Sequence, residues 1–376
     1  MLRRSVLLAV ALTALASVLV MSAQASGPGA DGYIVVLKNA VDTSAVANLH
    51  AVRYGASVEH VWSSALHGYS AVIPNDRVAA LRADENVAYV ELDGIATATA
   101  QTLPWGIDKI DADASSTLAG NGSGAITNVD AYVIDTGIDQ SHPDLNVVEF
   151  KQYANGPPRD CNGHGTHVAG TIGARDDTAG VVGVAPGIRL HAIKVLNCAG
   201  SGSWSDVISG INYVAGTSTR PAVANMSLGG PQNTAVDDAV KGAVANGVFF
   251  GVAAGNDGGN ACGHSPAAAG TTNGVDTVAA TDSSDAEASW SNYGNCVDIW
   301  APGVSIYSTY KSGGYATLSG TSMATPHVVG GAALYLSSNP TAGPGTVETA
   351  LRNAATTTTK KSKDGRTIIR EYVGGF

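Results

Sequence analysis

The chain has 376 residues, 46 of them Gly, with 44% apolar and 14% charged residues and a formal charge of −10. So few charges beside so much apolar content exclude a disordered chain, and the acidic balance argues against a phosphate-backbone partner, so no nucleic acid is expected. The length is enough for two or three domains at roughly 100–200 residues each, with a full-sized core.

Arg3 and Arg4 precede an apolar run from Val6 to Met21, and Ala23-Gln-Ala25 supplies the small-x-small pattern that a signal peptidase accepts. Residues 1–25 therefore read as a removed export signal. The run is broken by Thr13 and Ser17 and falls short of the roughly 20 residues a membrane span needs. The two arginines leave Sec and twin-arginine export open. The mature protein is expected to be secreted, without stable membrane association. Its four cysteines, Cys161, Cys198, Cys262 and Cys296, form an even set in an exported chain. They read as two disulfides, for which three pairings are possible.

Residues 30–95 differ in pattern from the remainder of the chain. Tyr33 to Leu37 is strand-like, and Thr43 to Tyr54 places Val46, Leu49 and Val52 near helical spacing. Ala56 to Trp62 and Gly68 to Ile73 read as strands, Asn75 as the cap of a helix carrying Val78 and Leu81, and Val87 to Leu92 as a closing strand. The order β-α-β-β-α-β is that of a ferredoxin-like split unit. Ile95 to Gln101, small and uncharged, suits an extended, cleavable linker.

From Pro104 onward, strand-like runs at Ala131 to Asp135, Leu190 to Leu196, Val223 to Leu228, Val248 to Ala254 and Asp276 to Ala280 alternate with helix-like ones. That alternation predicts an α/β domain with a mostly parallel twisted sheet and helices on both faces. The chemistry sits where such a sheet places its ligands, at the carboxyl ends of strands. Asp135 ends the first run, in Ile134-Asp-Thr-Gly-Ile138. His164 stands in Gly163-His-Gly-Thr-His-Val-Ala-Gly170. Ser322 stands in Gly320-Thr-Ser-Met-Ala-Thr-Pro-His327, ahead of an apolar segment that reads as a buried helix. A serine at a helix start lies near backbone N–H groups able to hold negative charge. Asp, His and Ser can serve as orienting charge, base and nucleophile. An aspartic protease would need a second Asp-Thr-Gly, and a His164/His167 metal site lacks the His-Glu-x-x-His pattern. His167 reads as structural.

At these three motifs, and at Ala253-Ala-Gly-Asn256, the sequence resembles the subtilase family of serine proteases, over about residues 98 to 355. Pro104-Trp-Gly106, Gly200-Ser-Gly202 and Ser227-Leu-Gly-Gly230 resemble its proteinase K branch. Asp160-Cys-Asn-Gly163 and Leu196-Asn-Cys198 are similar to the aqualysin-like enzymes. The resemblance implies a subtilisin-like fold preceded by a small α+β propeptide. The divisions would be 1–25 signal, 26–97 inhibitory and chaperone-like propeptide, and 98–376 catalytic domain, with the fate of 356–376 left open. It implies a secreted endopeptidase made as a self-processed precursor and acting as a monomer. Asp135, His164 and Ser322 would be catalytic, and Asn256 would donate to the oxyanion. Gly200, Ser201 and Gly202 with Ser227, Leu228 and Gly229 would pair with an extended substrate. Ala253, Ala254 and Gly255 would wall an uncharged pocket for apolar or aromatic side chains. It further implies the sequential disulfides Cys161–Cys198 and Cys262–Cys296. Structural calcium is implied at Asp298 with the carbonyls of Asn273 and Val275, and at a second site around Asp108 and Asp111.

Overall fold

The computed structural model describes residues 30–38, 41–93, 101–218 and 221–376. The expected export signal, and all but the last residue of the linker 95–101, lie outside these. The described residues fall into two compact units, one ending at residue 93 and the other starting at residue 101.

The first unit runs β1 (Ala30–Leu37), α1 (Thr43–Tyr54), β2 (Ser57–Trp62), β3 (Gly68–Pro74), α2 (Asn75–Arg82) and β4 (Val87–Leu92), which is the expected split order. Its antiparallel sheet has the order β2-β3-β1-β4. Two local expectations fail. Leu49 and Val52 are exposed, because the buried stripe of α1 runs through Val46, Ala47, His50 and Tyr54. Asn75 does not cap α2. It opens the helix after Pro74 and accepts the Tyr33 hydroxyl at 3.1 Å, so its side chain ties α2 to β1.

The second unit opens with α3 (Trp105–Lys109), β5 (Asp130–Asp135) and β6 (Val147–Gln152). Next come α4 (His164–Gly173), β7 (Arg189–Lys194), α5 (Trp204–Thr217) and β8 (Ala222–Met226). The two-residue β9 (Gly230–Pro231) precedes α6 (Thr234–Ala245) and β10 (Phe249–Ala253), and pairs antiparallel with β11 (His264–Ser265). Then come β12 (Val275–Thr281), β13 (Ile299–Pro302) and the hairpin β14 (Ile306–Tyr310) and β15 (Gly314–Leu318). The unit closes with α7 (Thr321–Ser338), α8 (Pro344–Ala354), β16 (Thr356–Lys361) and β17 (Thr367–Arg370).

The main sheet has the order β16-β17-β13-β12-β10-β8-β5-β7-β6 and is parallel except at the β16–β17 edge. Along β5, Ala131 and Val133 face one core with Val168, Ile172 and Val328, from α4 and α7. Tyr132 and Ile134 face the other with Val207, Ile211 and Val240, from α5 and α6. Helices thus cover both faces, which requires strands apolar on both sides, as β5, β8, β10 and β12 are. The strand order reverses about β5, so the carboxyl ends of β5 and its neighbours open a crevice at that point. Residues 356–376 are built in: β17 pairs with β13, and Ile368 and Val373 have no exposed surface. Among the described residues, no helix is long and apolar enough to cross a membrane.

Candidate active site

Asp135 is the last residue of β5 and is fully buried. Its Oδ1 accepts the Thr136 N–H at 2.7 Å and His164 Nδ1 at 2.8 Å. His164 is the first residue of α4, after Gly163 at φ 106°, a left-handed conformation that favours glycine. A Cβ on Gly165 would lie 2.1 Å from the Gly137 carbonyl oxygen, so only glycine lets α4 seat against the end of β5. A carboxylate only accepts, so Nδ1 carries the proton and Nε2 is left as the acceptor. Burial draws the imidazole down, but the charge and hydrogen bond of Asp135, with the charge of Asp160, raise it above the ordinary histidine value.

Ser322 lies in the first turn of α7. Its hydroxyl donates to the Ser227 carbonyl at 3.1 Å, while the Ser227 hydroxyl donates to the Ser322 carbonyl at 2.7 Å. In this rotamer Ser322 makes no hydrogen bond to His164. Asn256 follows β10, and its Oδ1 accepts the Thr321 N–H at 2.9 Å and the Thr321 hydroxyl at 3.0 Å. That leaves the amide nitrogen free, next to the Gly320 turn.

Two adjoining cavities meet along residues 228–231. One, of about 440 Å³, is lined by His164 and by residues 200–202 and 227–229. The other, of about 630 Å³, is lined by residues 253–255, Asn256 and Ser322. All nine expected binding residues therefore border one crevice. The sequence reading of an uncharged pocket is corrected here: the Asp257 carboxylate lines the second cavity together with His264, whose Nε2 lies 3.4 Å from Asp257 Oδ2. His264 comes from β11, folded back beside Asp257 by the β9–β11 pairing, a placement that local pattern does not reveal.

The disulfides are Cys161–Cys198 and Cys262–Cys296. His167 is structural: its Nε2 lies 3.0 Å from the carbonyls of both Ile306 and Ala316, and burial pushes its pKa down to about 4 despite them. Carboxylate oxygens of Asp298, Asp276 and Glu348 lie within 4.8 Å of one another, all three residues buried. Both Asp276 carboxylate oxygens lack a hydrogen-bond partner, and three oxygen donors suit a hard cation. The segment holding Asn273 and Val275 borders this cluster, since the Gly274 N–H donates to Glu348 Oε2 at 2.6 Å. Arg352 Nη1 lies 3.4 Å from Asp298 Oδ1 and 3.1 Å from Glu348 Oε1. Among the described residues no such three-acid cluster forms at Asp108 and Asp111; Asp108 is exposed and Asp111 half-buried at φ 59°. Sequence reasoning missed Thr321, Asp276 and Glu348. Thr321 had a signal, a hydroxyl inside the Gly-Thr-Ser motif; the two acids had none.

Residues 129–373 match the Subtilase family and residues 32–98 match Peptidase inhibitor I9. The chain is 47% identical over 315 residues to an extracellular serine proteinase of Thermus sp. (strain Rt41A), covering 80% of this chain and 74% of that protein. It is 44% identical over 319 residues to alkaline serine exoprotease A of Vibrio alginolyticus, covering 81% of this chain but only 58% of that protein. Among solved structures, that of a cold-adapted subtilisin-like serine proteinase aligns with a TM-score of 0.64 and 43% identity, covering 72% of this chain and 97% of that one. With most of its second unit matched and an inhibitor-type unit ahead of it, the chain belongs to the subtilase family of serine endopeptidases, in a precursor form.

Proposed function

We propose that Ser322 is the nucleophile, His164 its base and Asp135 the residue that fixes the imidazole tautomer. The observation that carries this is the 2.8 Å bond from His164 Nδ1 to Asp135 Oδ1, which leaves Nε2 unprotonated beside the crevice. When substrate binds, the Ser322 hydroxyl turns from the Ser227 carbonyl to Nε2, a change between staggered rotamers. Oγ attacks the scissile carbonyl carbon as its proton passes to Nε2. The oxyanion is held by the Asn256 amide and by the Ser322 N–H, which lies in the first turn of α7 and has no intrahelical acceptor. Collapse expels the amine, which takes the proton from Nε2, and water then hydrolyses the acyl-enzyme in the same way.

The substrate backbone pairs as an added strand between residues 200–202 and 227–229, so many sequences are accepted. The small residues Ala253, Ala254 and Gly255 leave room for an apolar or aromatic side chain before the cut. Residues 26–97 act as the chain's own intramolecular inhibitor, following removal of 1–25, and the mature enzyme, from about residue 98, works as a monomer, outside the cell as its Thermus relative's name says of that protein. Asp276, Asp298 and Glu348 would hold calcium, whose two charges together with that of Arg352 balance their three; it takes no part in the chemistry. The test is labelling by a serine-directed fluorophosphonate, followed by mass spectrometry of the labelled peptide. Label on Ser322, lost in His164→Ala, is expected; label elsewhere refutes the assignment.

A further inference from the structure

Asp160 is almost wholly buried, between the segments carrying Asp135 and His164. Its Oδ1 accepts the Thr136 hydroxyl at 3.0 Å and the N–H groups of Asn162 and Gly163 at 3.0 and 2.8 Å. Its Oδ2 accepts the Thr166 N–H at 3.0 Å and the Thr166 hydroxyl at 2.6 Å. Thr136 follows Asp135 directly, and Asn162, Gly163 and Thr166 bracket His164. The Thr136 hydroxyl in turn accepts the Gly165 N–H at 2.9 Å. One carboxylate thus joins the end of β5 to the first turn of α4.

On the other side of Thr136 stands Lys194, with no exposed surface and opposite Asp135 in the β5–β7 pairing. Its Nζ donates to the carbonyls of Thr136 at 2.7 Å and Leu196 at 2.9 Å. A buried ammonium costs several kcal/mol of desolvation unless charge nearby offsets it, and two backbone carbonyls alone are a poor substitute. Asp135, Asp160 and Lys194 together leave one net negative charge under the active site while His164 is neutral. The imidazolium formed during attack cancels it. Buried charges act on one another far more strongly than exposed ones.

We propose that Asp160 and Lys194 are positioning residues of the reaction, Asp160 locking the first turn of α4 onto Thr136 and the two together setting the charge against which the His164 imidazolium forms. The inference rests on the triad reading above. After burial, which lowers it, and Asp135, which raises it, the charge of Asp160 is the next influence lifting His164. The other titratable or charged groups at this corner are Asp139 and Arg159 on the flanking loops, Lys311, Tyr310 and the buried His167. Lys311 donates to the Cys161 carbonyl and Tyr310 to the Asn162 carbonyl, so neither is bonded to the Asp160 carboxylate.

The test is the acid limb of kcat/KM against pH for the mature enzyme on a chromogenic peptide. Asp160→Asn should move the limb to lower pH and Lys194→Met to higher pH, each by at least about half a unit. Thr136→Val keeps both charges but breaks the lock. It should lower kcat at least about tenfold with KM nearly unchanged and the limb in place, and Thr136→Ser should restore the rate. Limbs that stay put, or shift in the same direction, overturn the charge role; a normal kcat in Thr136→Val overturns the lock. The Thr136 pair decides the lock whether or not either charge variant matures. Failure of the parent enzyme to label at Ser322 would instead remove the triad reading, so the two failures are distinguishable.

Discussion

Thr321 gives both its N–H and its hydroxyl to Oδ1 of Asn256, at 2.9 and 3.0 Å, while its hydroxyl also receives the Gly255 N–H at 3.1 Å. The carboxamide is therefore locked with its oxygen turned toward α7 and its nitrogen free. A donor aimed at charge that exists only in the transition state raises turnover without tightening substrate binding. Asn256→Ala should lower kcat by about 10²–10³, the loss known for the corresponding subtilisin donor, with KM moving no more than a few-fold. Thr321→Val removes only the lock's hydroxyl and should cost less, about tenfold in kcat, in line with one neutral hydrogen bond. Steady-state kinetics on a chromogenic peptide, with folding checked by circular dichroism, decides both. A folded Asn256→Ala enzyme with near-normal kcat would place the oxyanion hole elsewhere.

Maturation should depend on the same serine. An I9-type unit precedes the catalytic unit in one chain, so the first cut is expected to be intramolecular. Ser322→Ala should then accumulate as a chain that begins near residue 26. Intact mass measurement after expression in a protease-deficient host reads this directly; a mature N-terminus near Ala98 in that variant would mean that another protease makes the cut.

The candidate catalytic motifs were legible because each combines a chemical residue with the glycines its backbone needs. Asp135 ends an unbroken apolar run, and Gly163 and Gly165 mark the tight entry to α4. The split order of the first unit was legible for a similar reason, since its strands and helices differ in period. What stayed hidden depends on contacts between distant segments. The Gly274 N–H meets Glu348 across 74 residues, and no local pattern announces that. Asp160 carries no signature of its five donors, because four of them come from residues that also fit a helix entry. The fate of 356–376 was open from sequence, but the β-branched run Thr356 to Thr359 suits an edge strand, and β16 forms there.

The tail's contribution can be measured. Ile368 is fully buried beside Trp300 and Val297, Phe376 stacks edge-on against Tyr335 at 5.4 Å, and the Ser116 N–H donates to the Phe376 carbonyl at 2.7 Å. Ile368→Ala should destabilise the mature enzyme by about 2–5 kcal/mol, the usual cost of emptying such a site. Deleting residues 356–376 should prevent maturation altogether. Denaturant unfolding of fluorophosphonate-inhibited protein tests the first, and gel analysis of secreted product the second; a truncated chain that matures and unfolds normally would show the tail to be dispensable.

The buried acid cluster yields a prediction in which pH and metal are linked. Without a cation, burial raises Asp298 to about 7, with Glu348 adding to the rise and the Thr277 N–H and Arg352 opposing it. Asp276 is raised as well, by burial first and then by the charges of Asp298, Glu348 and Glu371. Carboxyls raised on folding hold protons that the unfolded chain has already lost, so between about pH 4 and 7 the metal-free folded state binds more protons than the unfolded one, and its stability falls as pH rises through that window. Calcium bound at the cluster should reverse this by favouring the ionised forms, and protons should compete with it at low pH. For fluorophosphonate-inhibited enzyme, the Tm difference between millimolar calcium and a chelator should be small near pH 4.5. By pH 8 it should widen by at least about 2–4 °C, the equivalent of about 1 kcal/mol in a domain this size. Asp276→Asn should shrink the difference at pH 8, since it removes one ligand charge. Chelation at low temperature should leave the initial rate of active enzyme nearly unchanged, because the cluster supplies no triad residue. A Tm difference that is independent of pH, or untouched by Asp276→Asn, would place the ion elsewhere, and an immediate loss of rate on chelation would tie a metal to the chemistry itself.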